Sequence, residues 1–142
     1  MSKRDLMSYL DPKRVISPVS VSDNTAQVGQ IIDTRDHDSL TYIISAGSLA
    51  DADATFTVLV EEGDDSGLSD AAAVADAELV GTEALASFQF DDDDKVFKIG
   101  YVGNKRYNRL TIQPANNTGS AHVCVTGILG HAHSTPTANP PA

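Results

Sequence analysis

Asp91, Asp92, Asp93 and Asp94 form the densest run of potential metal ligands in the chain. Carboxylate oxygens can hold a hard cation such as calcium, but a calcium loop spaces them as Asp-x-Asp-x-Asp-Gly so that they converge on one point. This run is contiguous, and it lies between Phe88/Phe90 and Val96/Phe97. A hairpin loop of about five residues fits there, with charge that deters edge-to-edge strand pairing. Asp51-Ala52-Asp53 and Glu61-Glu62-Gly63-Asp64-Asp65 lack the same spacing. His131-Ala132-His133 sets two imidazoles on one side of an extended segment, as a metal-binding jelly roll of the cupin type does. Such a site also needs a carboxylate and a further histidine, whereas Ser134, Thr135 and Pro136 follow. His37 belongs to a charged turn, Thr34-Arg35-Asp36-His37-Asp38, and His122 alternates with Ala121 and Val123 and is expected to point outward. Cys124 stands between Val123 and Val125 with no cation nearby in sequence to lower its pKa, which is the pattern of a packed, inert thiol. The chain has no Gly-x-Ser-x-Gly elbow, phosphate-binding glycine loop or zinc-binding cysteine set. The expectation is a non-enzymatic protein with no cofactor and no catalytic or metal-binding residues.

One cluster has the composition of a contact surface. Between Gly100 and Arg109, the cations Lys105, Arg106 and Arg109 gather with Tyr101 and Tyr107 around a turn, in a chain that is otherwise acidic. Arginine and tyrosine are the residue types that anchor interfaces. The same cations could equally neutralise neighbouring acidic loops, and the sequence leaves both readings open.

The elements that must position these residues read as strands. Phe56, Val58 and Val60 alternate with Thr55, Thr57 and Leu59, and Leu40, Tyr42 and Ile44 alternate likewise, with Ile43 making the opposite face partly apolar. A period of two is the mark of a half-buried strand. Val15–Val21, Ala26–Asp33, Ala86–Phe90, Val96–Val102, Tyr107–Gln113 and Ala121–Leu129 are further strand candidates, rich in β-branched or aromatic residues. Pro18 favours a sheet edge for the first of these. Turn chemistry separates them, at Ser22-Asp23-Asn24, Gly63 to Gly67, Asp91 to Lys95, Gly103-Asn104 and Pro114 to Gly119. The expected fold is all-β: an antiparallel β-sandwich or jelly roll of about eight strands. The one expected helical piece is Ser69–Leu79, alanine-rich with Ser69 as a cap.

Charge divides the chain further. With 142 residues, 41% of them apolar, there is material for one core. The net charge of −10 disfavours nucleic acid and anionic membranes as partners. Residues 1–14 are nonetheless net positive, through Lys3, Arg4, Lys13 and Arg14 against Asp5 and Asp11. From Asp51 to Asp94 there are fourteen acidic residues and no Lys or Arg, so this third is expected to be largely solvated loop. Residues 134–142 lack large apolar side chains and are rich in proline. The division expected is a basic, extended N-terminal arm over 1–14, a β-domain over 15–133 and a Pro-rich C-terminal tail over 134–142. The start lacks an apolar run behind Lys3 and Arg4, so no signal peptide is expected. No stretch approaches the ~20 apolar residues of a membrane-spanning helix. The single cysteine fits a protein made in a reducing cytoplasm.

Tyr101-Val102-Gly103-Asn104-Lys105-Arg106-Tyr107, followed by Arg109-Leu110-Thr111-Ile112 after a long acidic middle, resembles small virion proteins of tailed bacteriophages. The similarity runs from about Val19 to Gly130 and includes Val58-Leu59-Val60-Glu61-Glu62. The resemblance implies a capsid decoration (cement) protein, made in the host bacterial cytoplasm and carried on the capsid surface of the virion. Its partner would be the phage major capsid protein, with self-association as a dimer or trimer at symmetry axes as a second expectation. The contact residues expected are Arg4, Leu6, Tyr9, Leu10 and Arg14 of the arm, acting as a clamp, with Tyr101, Lys105, Arg106, Tyr107 and Arg109 of the cluster. Fully extended, residues 1–14 would span about 45 Å, more than the ~30 Å width of the body. The alternatives are a head-completion or tail-tube protein and a carbohydrate- or receptor-binding sandwich on the virion. The lack of tryptophan counts against a sugar platform.

Overall fold

The computed structural model describes residues 4–141. Six long strands carry the fold: β1 (Asp11–Val21), β4 (His37–Leu49), β5 (Thr55–Gly63), β9 (Val96–Tyr101), β10 (Tyr107–Ala115) and β11 (Ala121–Ala132). Five two-residue strands complete it: β2 (Gln27–Val28), β3 (Ile32–Asp33), β6 (Ala72–Ala73), β7 (Leu79–Val80) and β8 (Phe88–Gln89). The described pairings are antiparallel and make two sheets. One has the order β1-β11-β4-β9-β7; the other has β2-β10-β5-β6, with β3 against β10 and β8 against β5. Successive long strands from β4 onward switch sheets, as chains in a jelly roll do. The protein is an antiparallel β-sandwich.

The period-two pattern decides which side chains meet. On β4, Leu40, Tyr42, Ile44 and Ala46 are buried while Thr41, Ile43 and Ser45 are half-exposed. Val58 and Val60 of β5, Leu110 and Ile112 of β10, and Val123, Val125 and Leu129 of β11 fill the space between the sheets. The rings of Phe56, Phe88 and Phe97 stack across it at centroid separations of 4.8 and 5.8 Å. One polar pair lies within this core: Tyr42 donates its hydroxyl to Asn108 Oδ1, tying β4 of one sheet to β10 of the other.

Four expectations are corrected. The expected strand over 26–33 is broken into β2 and β3, both paired with β10, because the chain bulges between them: Gly29 N–H donates to Leu110 O of β10, while Gln30 N–H turns to Val15 O of β1 in the other sheet, at 2.9 Å each. A Cβ on Gly29 would collide with the Leu110 carbonyl and the Val15 side chain, so only glycine fits there.

The expected helix over Ser69–Leu79 is reduced to a single 3-10 turn at Asp76–Glu78. Val74 is its single deeply buried anchor in mid-segment, and Val74 N–H donates to Val60 O, so the segment lies against β5 instead. The helix that forms, α1 (Glu83–Ala86), starts at Thr82, whose Oγ1 accepts from Leu85 N–H at 3.0 Å. It takes Ala86 out of the expected strand over 86–90, which is reduced to β8. Helix α1 also closes part of the β5 edge: Glu83 Oε2 accepts from Val60 N–H at 2.7 Å and Ser87 Oγ accepts from Val58 N–H at 2.9 Å. With β8 on Thr55 and Phe56 and β6 on Glu61 and Glu62, that edge is occupied along its length.

The acidic third runs as loop and turn around one long strand, β5, with only two- to four-residue elements besides. Many of its carboxylates fold the remaining loops. Asp70 accepts from Asp64 and Asp65 N–H, Asp65 from Gly67 and Ser69 N–H, and Asp51 from Asp53 and Thr118 N–H.

The arm is shorter than expected. Residues 11–14 belong to β1, where Asp11, Pro12, Lys13 and Arg14 face Leu129, Ile128, Gly127 and Thr126 of β11. Pairing satisfies their backbone groups, as a free arm would not. Residues 7–9 form a 3-10 turn, and Thr137 of the tail donates to Ser8 O and Leu10 O, so the described parts of the two termini pack together. Lys3 of the expected arm and Ala142 of the expected tail lie outside the described residues.

Candidate binding surface

The cationic cluster sits where β9 ends and β10 begins, and its own chain satisfies much of it. Tyr101 is buried, with its hydroxyl donating to Glu62 Oε2 at 2.9 Å and accepting from Lys105 N–H at 3.0 Å. It therefore serves the fold, and the contact role expected of it is corrected. Lys105 Nζ meets Asp64 at 2.9 Å, and Arg109 meets Glu61 across the β10–β5 ladder at 3.0 Å. Arg106 grips Asp33 with two parallel bonds of 2.9 and 2.8 Å, and its guanidinium lies 5.0 Å from the centre of the Tyr107 ring. The Arg106 hydrogen bonds hold the Asp33 carboxyl below the usual range, and Asp33 raises Arg106 in turn. Burial pushes the Tyr101 phenol above its ordinary value, and burial likewise raises Glu62. This end of the sandwich is an interlocked charge network whose cations neutralise neighbouring carboxylates.

The residues weighed for metal or catalytic chemistry are held apart. Asp92 accepts from Gln89 N–H and pairs with Lys95 at 2.9 Å, while Asp93 accepts from Leu49 N–H at 3.4 Å. His131 bonds to Ser39 Oγ, His133 to Asp38, and His37 donates from Nδ1 to Arg35 O. Among the described residues, no three His, Cys, Asp or Glu side chains are grouped to hold a metal ion. Cys124 departs from the packed-thiol expectation, because Val123 and Val125 face the core and it faces outward, half-buried.

The arm residues gather instead with the tail. Leu6 and Met7 are 65% and 64% exposed, while Tyr9 and Leu10 are half-buried. Leu6, Met7, Leu10, Pro12, Ile128 and Pro136 line a groove of about 590 Å³ between the two termini and the outer side of β11. Arg4 is exposed just ahead of it, and Arg14 is exposed on β1, donating to Ser17 Oγ at 2.8 Å. Two other concavities open on the same side of the five-stranded sheet: one beside Ser45, Gly47, His122 and Cys124, the other beside Thr41, Val80, Lys98 and Gly100. The sequence showed little of this, since only Ile43 marked an apolar component on the outer side of a strand.

No protein-family model matches the chain, and no curated protein matches it. Among solved structures, a protein derived from the SPBc2 prophage, YomS, is similar at 14% identity and a TM-score of 0.47, over 84% of this chain and 93% of that one. The CBM22-1 xylan-binding domain of Xyn10C from Paenibacillus barcinonensis is similar at 11% identity and a TM-score of 0.45, over 87% and 88%. The C-terminal family 22 carbohydrate-binding module of Xyn10B from Clostridium thermocellum follows at 8% identity and a TM-score of 0.44, over 92% and 99%.

Proposed function

We propose that the chain is a non-enzymatic virion structural protein that binds the outer surface of a phage capsid and stabilises it by bridging neighbouring major capsid proteins. The sequence resemblance to small virion proteins of tailed phages supplies the context. The observation that carries the reading is the terminal groove. In a chain of net charge −10, Leu6 and Met7 stand out to solvent beside Ile128 and Pro136, in a groove lined by no charged side chain. Exposed apolar groups gathered in this way mark an interaction surface. The clamp assigned to the arm is thus a compact apolar notch formed jointly with the tail, and bridging needs reach only across a seam between subunits. Modest affinity per site suffices, because a shell offers many identical sites.

Co-sedimentation with purified capsids lacking the protein tests this reading. The wild type should attach in many copies spread over the shell, and Leu6→Asp/Met7→Asp should reduce attachment at least tenfold with an unchanged circular dichroism spectrum. Undiminished attachment of that variant refutes the notch as the clamp. Occupancy confined to a single ring at one vertex refutes decoration in favour of a head-completion role.

A further inference from the structure

The strand register assembles a surface that no contiguous segment contains. Arg14 of β1 faces Thr126 of β11, Thr126 faces Ile43 of β4, and Ile43 faces Lys98 of β9. These four residues form one straight row across the outer side of the five-stranded sheet. The next row is Pro12, Ile128, Thr41, Gly100 and Val80, and on the other side lie Cys124, Ser45 and Val96. No carboxylate occurs in these rows, although the chain carries twenty Asp and Glu residues.

The two cations of the central row differ from most of the others described. Lys13, Arg35, Lys95, Lys105, Arg106 and Arg109 each meet a carboxylate of this chain. Arg14 and Lys98 are exposed and make no ion pair among the described residues; Arg14 reaches only the Ser17 hydroxyl. In a protein with twice as many acids as bases, two cations without a carboxylate on one face constitute a local charge of opposite sign to the whole. Three strand spacings separate them, about 14 Å.

We propose that the outer face of the five-stranded sheet docks an acidic protein surface, one that lays an uncharged strip on Thr126 and Ile43 and sets a carboxylate over each of Arg14 and Lys98. Charge complementarity selects this occupant. A second copy of the chain is disfavoured, because two such faces would oppose cation to cation. Five strands and three rows make the face ~24 Å by ~20 Å, or ~500 Å², which is below the ~800 Å² per partner of a stable binary complex. Such a contact is weak alone and becomes firm when combined with the terminal groove beside it, which Pro12 and Ile128 connect to the sheet. The assignment rests on the capsid reading above, the acidic surface being that of the capsid protein.

The test compares capsid co-sedimentation of the wild type, Arg14→Glu/Lys98→Glu, and Thr57→Glu, which places a new charge on exposed β5 of the opposite sheet. Circular dichroism and gel filtration confirm folding of each. Loss of at least tenfold in affinity for the double variant, with Thr57→Glu within twofold of the wild type, supports the face. Equal binding by all three overturns it while leaving the capsid reading intact, and equal loss by both variants overturns it too. Absence of wild-type binding removes the capsid reading and this assignment together. Self-association of the wild type that Arg14→Glu/Lys98→Glu abolishes would give the face to a second copy and overturn the acidic partner.

Discussion

Replacing Tyr42 with Phe removes one oxygen atom from the centre of the sandwich, and its effect follows from what that oxygen holds. Tyr42 and Asn108 are almost fully buried, and the phenol donates to Asn108 Oδ1. Asn108 Nδ2 meets no acceptor among the described residues, so without the phenol neither end of the buried amide has a side-chain partner. Losing the bond and stranding its acceptor together cost about 2 kcal/mol. For a domain of this size that corresponds to a fall in Tm of about 7 °C. Asn108→Leu strands the phenol instead and should cost a similar amount. The double variant Tyr42→Phe/Asn108→Leu removes both polar groups and should lie within ~1 kcal/mol of the wild type, a coupling of about 3 kcal/mol.

Urea unfolding followed by circular dichroism, at constant m-value, measures all four corners of this cycle. Additive single costs, or a Tyr42→Phe variant within ~0.5 kcal/mol of the wild type, would refute the reasoning that the pair is held by its own hydrogen bond. Burial raises the Tyr42 phenol above its usual range, so the phenol remains a donor and the cycle should give the same answer at mildly acidic and mildly basic pH. The pair also bears on binding, because Tyr42 anchors β4 from the inside at the point where Thr41 and Ile43 form the middle of the outer face.

Glu83→Ala should destabilise by ~1–3 kcal/mol, because Val60 N–H loses its acceptor at the β5 edge. Glu83→Gln retains an acceptor and should recover most of the loss in the same urea assay. The exposed His133–Asp38 pair sets a pH window for the end of β11. The Asp38 hydrogen bond raises His133, so its contribution is complete below the ordinary imidazole pKa and is lost as pH rises through the elevated value. The His133 hydrogen bond lowers Asp38, so that side of the window closes as pH falls through the depressed carboxyl value. An NMR titration should show His133 protonating at higher pH than a free imidazole and returning to the ordinary value in Asp38→Asn; an unchanged midpoint in that variant would exclude the pairing.

Fold class was legible because burial acts on alternate residues. Phe56, Val58 and Val60, and Leu40, Tyr42 and Ile44, announced their strands through nothing but spacing, and all six side chains lie in the core. Illegible segments were those decided by long-range contacts. Asp11–Arg14 carries mixed charge and a proline, which read as an arm, yet β11 offers a free edge that pairs with it. Ala71–Ala75 has helical propensity, but a short alanine segment gains little as an isolated helix and more by lying along β5. The intervening glycine in Ala26–Asp33 looked like a strand interior, whereas the backbone of another strand approaches too closely there for any side chain.

The binding surface was harder to see for a physical reason that favours the sheet face over the cluster first noticed. Lys105, Arg106 and Arg109 are close in sequence and so attract attention, but their carboxylates lie 41, 73 and 48 residues away and become neighbours only on folding. An acid-rich chain will supply partners for most of its cations in this manner, so a dense cationic run is weak evidence of a contact surface. A cation that ends without a carboxylate is the more informative one, because so many carboxylates were available to it. Arg14 and Lys98 are 84 positions apart, and only the register through Thr126 and Ile43 brings them into one row. Antiparallel pairing thereby concentrates on one face what composition had diluted along the chain: side chains without negative charge, bracketed by two positive ones.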